Sequence, residues 1–103
     1  MKIVWVQYSP RQEYAGTNME NIRQVINELR KLNHLGIKYS TYLIPEGKTF
    51  IHFDDFENEE VHLWLQGLES FKIFANELWT GKLEKEPKLE LPSIVASTGD
   101  FFG

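Results

Sequence analysis

His52 is the titratable residue of this chain best placed to do chemistry. It lies in the run Thr49-Phe50-Ile51-His52-Phe53-Asp54, between aromatic neighbours and two positions before an acid. In an extended strand, residues two apart share a face, so Asp54 stands where a carboxylate can orient the imidazole of a general base. The same spacing also suits a hydrogen-bonded, inert histidine at a seam between two copies of the chain. Tyr39 and Tyr42 fall on opposite faces of a neighbouring strand, so one of the two joins His52's side and can offer a hydroxyl to a ligand, or simply pack. His34 and His62 read as a helix-end and a helix-surface residue. Asp54-Asp55 with Glu57, Glu59 and Glu60 reads as loop and helix-start acids, not a metal site, and no metal is expected. There is no cysteine, and Ser9, Ser93 and Ser97 lack the G-x-S-x-G setting of a hydrolase nucleophile.

Elements must hold these groups in place, and 103 residues suffice for a single domain, 1–103, with one modest core. With 15 acidic against 11 basic residues, net charge −4, and no cluster of Lys or Arg, nucleic acid is not an expected partner. The apolar opening Met1–Val6 is too short for a signal-peptide core, and no run reaches a membrane span. A cytoplasmic location is the expectation.

Lys2–Tyr8, rich in β-branched and aromatic residues and closed by Pro10, reads as a strand. Thr17 and Glu20 fit a capping box at the start of a helix whose apolar stripe is Met19, Ile22, Val25, Ile26, Leu29 and Leu32. Gly36 is expected to end it. Ile37–Ile44 and Thr49–Asp54 form a hairpin around Pro45-Glu46-Gly47-Lys48. A second helix starts after Asn58 and is kinked or split at Gly67, leaving Glu69–Trp79 as its second run. Leu89–Ser97 is the fourth strand, placed at a sheet edge by Pro92. The tail's Phe101 and Phe102 are expected to dock.

Strand, helix, two strands, helix and strand is the split βαβ order of a ferredoxin-like α+β sandwich, a four-stranded antiparallel sheet with its helices on one face. The other face then needs a cover. With Val4 and Val6 toward the helices, Ile3, Trp5 and Gln7 point outward; Phe50, His52 and Asp54 join them if Ile51 and Phe53 go inward. An aromatic open face implies an interface or a ligand groove.

This order, the Glu59-Glu60-x-x-x-Trp64 stretch, the run Glu69–Phe74 and a last strand after a proline-containing connector together resemble the dimeric α/β-barrel superfamily, which includes antibiotic-biosynthesis monooxygenase-like proteins. The resemblance implies a homodimer through the open sheet face and a small cavity between sheet and second helix. Its haem-degrading branch carries an Asn on strand one, a Trp on helix two and a His further along. Gln7 and Trp64 stand at the first two places and the His is missing, so haem is not expected, nor any other cofactor. The implied pocket is lined by Trp5, Gln7, Tyr39, His52 and Trp64, with His52 the base and Gln7 orienting a small aromatic substrate. A non-catalytic ligand-binding or structural homodimer is the alternative.

Overall fold

The computed structural model describes residues 1–102. Its elements run β1 (Lys2–Tyr8), a 3-10 turn (Gln12–Tyr14), α1 (Ala15–Leu32), β2 (Ile37–Leu43), β3 (Phe50–Phe56), α2 (Glu59–Gln66), α3 (Glu69–Trp79) and β4 (Lys88–Glu90). The strands form one antiparallel sheet in the order β2-β3-β1-β4. This is the ferredoxin-like arrangement expected from the sequence, with the second helix divided at Gly67. No helix among the described residues is long and apolar enough to cross a membrane.

Register fixes which side chains share a face, because residues directly opposite on antiparallel strands point the same way. Tyr39, Asp54 and Val4 form one rung, and Thr41, His52 and Val6 the next. These rungs face the helices, between Phe56 at one end of β3 and Phe50 at the other, both almost fully buried. The expected parity therefore holds for β1 and is reversed for β3, where His52 and Asp54 turn inward. The cause is that the ends of β3, not its middle, anchor it: Phe50 and Phe56 fill the core with Val25, Leu65 and Leu78, and period-two alternation carries the two polar residues in with them. Gln7, Ile51 and Tyr42 lie on the opposite face with Trp5, Phe53 and Ser40.

β3 also runs two residues further than expected, taking Asp55 and Phe56 into the sheet. It is a central strand, paired on both sides, and that backbone pairing outweighs the low strand preference of aspartate. β4 is shorter than expected. Continuing its register would place Pro92 opposite Ile3, and proline has no N–H for the ladder. Beyond it the chain runs to Phe102, which is half-buried beside Lys38 with the ammonium 6.0 Å from its ring centroid.

The helix ends differ in detail from expectation. The 3-10 turn feeds directly into α1, so Thr17 and Glu20 fall inside the helix and no capping box forms. Glu20 instead accepts from Gln24 at 3.0 Å. α1 ends on Asn33 (φ 49°), not Gly36; asparagine tolerates the left-handed conformation that closes a helix. Gly36 instead sits against His34 and Glu57, where a Cβ would approach His34 to 3.0 Å.

At α2, the Asn58 side chain accepts from Val61 N–H at 3.0 Å, and Glu59 and Glu60 occupy the positive first turn. Asn58→Ala is expected to cost about 1 kcal/mol in urea denaturation. An unchanged midpoint would show that the cap contributes nothing.

Candidate functional site

A cavity of about 240 Å³ lies between the helix-facing side of the sheet and the two short helices α2 and α3. Its sheet wall carries Val4, Val6, Tyr8, Tyr39, His52 and Asp54. α2 adds His62, Leu65 and Gln66, α3 adds Phe71, Phe74 and Trp79, and Leu89 of β4 contributes at the edge. Most of this wall is hydrocarbon or aromatic ring, with polar atoms concentrated on the sheet, the pattern of a small-molecule pocket.

The polar groups form a chain. Asn18, fully buried on α1, donates its amide N–H to the Tyr8 hydroxyl at 2.8 Å. Tyr8 Oη lies 2.7 Å from His52 Nε2, and Tyr39 Oη lies 2.9 Å from His52 Nδ1, with Thr41 Oγ1 at 3.4 Å from the same nitrogen. A neutral imidazole has one N–H and one lone pair, so one tyrosine donates to the ring and the other accepts from it. The ring is further clamped by aromatic neighbours, Tyr8 at 5.3 Å, Phe74 at 5.3 Å and Tyr39 edge-on at 5.7 Å between centroids.

Burial sets the charge states. Removal from water pushes His52 down to about 4 and raises Tyr8 and Tyr39 above the ordinary phenol value, with smaller contributions from the nearby Asp54. Desolvation likewise raises Asp54 well above the carboxylate range, and the negative charge of Asp55 adds to it. At neutral pH the imidazole and both phenols are uncharged. Contrary to the expectation from the sequence, Asp54 does not orient His52; the two tyrosines do, and Asp54 Oδ1 has no hydrogen-bond partner.

Of the five residues expected to line a pocket, the structure brings His52 and Tyr39 together in this cavity. Gln7 and Trp5 stand on the other side of the sheet, since they alternate with Val6 and Val4. Trp64 is turned to the flank of α2, where its ring lies 4.6 Å from that of His34. His62, expected on the surface, is half-buried and stacked on Phe56 at 4.5 Å, and it lines the cavity. Its Nδ1 is buried without a partner, and desolvation lowers its proton affinity. Tyr8, His62 and Trp79 were not anticipated. Tyr8 was legible from β1, because it shares the parity of Val4 and Val6. Nothing in the local sequence marks His62, whose inward turn depends on the ring of Phe56 beneath it. Among the described residues, no three His, Asp or Glu side chains converge as metal ligands would.

No family model matches the chain, and no curated protein matches its sequence. Solved structures do resemble it. A candidate antibiotic biosynthesis monooxygenase from Bacteroides thetaiotaomicron superposes with a TM-score of 0.82 at 9% identity, covering 96% of this chain and 93% of that one. Rv0793 from Mycobacterium tuberculosis gives 0.77 at 12% identity, with 95% and 98% covered. A conserved protein from Methanosarcina mazei gives 0.72 at 18%, with 88% and 89% covered. At these identities the likeness is one of fold, and the chain has the ferredoxin-like fold that antibiotic biosynthesis monooxygenase-like proteins share.

Proposed function

We propose that the chain binds a small aromatic molecule in the cavity between its sheet and α2–α3 and acts on it as a monooxygenase-like or isomerase-like enzyme. The observation that carries this reading is the cavity itself, which is apolar on most sides and faces a buried row of Tyr8, His52 and Tyr39. Such a row passes protons without holding charge. In the isomerase form a proton leaves one ring carbon and returns to another. In the oxygenase form an activated CH2 becomes C=O, with one atom of dioxygen entering the product and the other leaving as water, so the substrate supplies all the electrons. His52 and Tyr39 are the proposed proton-handling pair. Trp5 and Gln7 belong to the open face, and their proposed role is at a seam between subunits.

A specific observation favours a second reading, a ligand-binding protein without turnover. Both nitrogens of His52 are already engaged by tyrosines, and burial has reduced its basicity. Anthrone, whose CH2 lies between two rings, separates the readings. Oxygen uptake and quenching of tryptophan emission are both expected with the native chain, and both should be lost in Val6→Phe, which puts a ring into the cavity. Quenching without oxygen uptake for anthrone, and without a proton shift for an isomerisable enone, leaves the binding protein standing. No saturable binding sinks both.

We also propose that a second copy covers the open face. Phe53 and Tyr42, 39% and 57% exposed, lie there with Trp5 and Ile51, and no helix covers them. Aromatic patches of this kind mark interfaces. Light scattering is expected to give twice the chain mass, falling to the monomer in Phe53→Glu. A native monomer at every concentration would remove this proposal.

A further inference from the structure

We propose that Asp54 is the residue by which the cavity recognises its ligand, its carboxyl hydrogen-bonding to a ring carbonyl. This deepens the small-aromatic reading above and rests on it. Asp54 is 6% exposed, sits mid-strand on the sheet wall of the cavity, and has one carboxyl oxygen with no partner in the protein. A buried polar group left unpaired costs stability, and a chain that needed only packing there has Val or Leu available without that cost. A group of this kind is accounted for when something absent from the polypeptide completes it.

The surroundings specify what that something is. No cation reaches Asp54; the ion pairs among the described residues are Lys2–Glu59, Arg23–Glu20 and Lys48–Glu84. The titratable groups around it are Tyr8 on β1, Tyr39 on β2, His52 and Asp55 on β3, and His62 on α2, while α3 and β4 present only Phe71, Phe74, Trp79 and Leu89. Desolvation and the adjacent Asp55 both oppose ionisation and so favour the protonated carboxyl, which is a donor. A neutral carboxylic acid in an apolar pocket is a strong partner for a carbonyl oxygen, more so as that oxygen gains negative charge during proton removal from the neighbouring carbon. The ligand class is therefore a flat aromatic ring system bearing a carbonyl at its edge. An aromatic carboxylate is disfavoured, since no positive charge meets it.

The probes are 1,4-naphthoquinone and naphthalene, near-equal in shape and differing in the carbonyls, titrated against the full chain by tryptophan fluorescence and calorimetry. The native protein is expected to prefer the quinone about tenfold, the effect of one well-made hydrogen bond. Asp54→Leu should abolish the preference and keep naphthalene binding. Asp54→Asn, whose amide still donates, should restore most of it. Raising the pH should erode the preference in the native chain as Asp54 ionises, and leave it in Asp54→Asn. Both variants should fold at least as well as the native protein, because each removes a buried acid. Equal binding of the two probes, or a preference that survives in Asp54→Leu, overturns the assignment while leaving the cavity reading intact. Failure of both probes to bind the native chain overturns both.

Discussion

Substituting His52 by leucine is expected to lower stability by about 3 kcal/mol near pH 7.5, with a difference from the native chain that shrinks to little near pH 4. The loss at neutral pH arises because two buried tyrosine hydroxyls lose their common partner, each at about 1–3 kcal/mol, with Asn18 still holding Tyr8. The pH dependence follows from linkage. His52 is pushed from 6.5 to about 4 on folding, so between these values the unfolded chain binds a proton that the folded chain refuses. Its contribution to stability is fully present above pH 6.5 and is lost as pH falls toward 4, about 3 kcal/mol in all. The leucine variant has no such loss, so the two stability curves converge on the acid side. Asp54 acts in the opposite sense, its raised value favouring the folded state as pH falls, and His62 in the same sense as His52. Both are present in native and variant alike and cancel in the difference. Urea titrations at half-unit pH steps would show it. A gap that stays constant from pH 7.5 to 4 would mean that His52 is charged in the folded chain and that the tyrosine clamp is misassigned.

Phe56→Ala is expected to cost about 4 kcal/mol, which is most of the stability of a domain at the lower end of the usual range. Phe56 is 0% exposed, closes one end of β3, and is the surface on which His62 stacks. The truncation therefore leaves a void in the core and removes what holds the α2 histidine toward the cavity. Phe56→Leu should cost markedly less and yet weaken binding of an aromatic probe, because leucine fills volume without offering a ring face. Denaturation midpoints and probe affinity, measured on the same two variants, separate the effects. Equal affinity in native and Phe56→Leu would show that His62's placement does not depend on the stack.

The element order and the hairpin were legible because each depends on local pattern: period two in β1, period three to four in α1, a Pro-to-Gly turn before β3. The split of the second helix was legible for the same reason, with Gly67 interrupting an otherwise apolar run. The site was half legible. His52 and Tyr39, which share the cavity, were singled out because a polar ring among apolar residues stands out in any register. The company they keep was not, because the inward face of β3 is set by Phe50 and Phe56 at its ends, and their burial depends on Leu65 and Leu78, residues distant in the chain. With β1 as expected and β3 reversed, His52 and Asp54 turn to the side of Tyr8 and away from Gln7 and Trp5. The strand limits failed for a related reason: whether an aspartate such as Asp55 continues a strand depends on having neighbours on both sides.

The interruption at Gly67 bears on how this pocket can change over generations. Gly67 N–H and Leu68 N–H bond to the carbonyls of Trp64 and Leu65, while Lys72 N–H already bonds to Leu68, so the chain turns there with its backbone bonding nearly continuous. Leu65 seats the first piece and Phe74 with Leu78 the second, each in the core on its own account. A bulkier or smaller side chain at Phe71 therefore re-seats one short rod without levering the other, as it would along an unbroken helix. Descendants of such a chain can reshape the cavity a few substitutions at a time, and the sheet, with its tyrosine-held histidine, goes along unaltered.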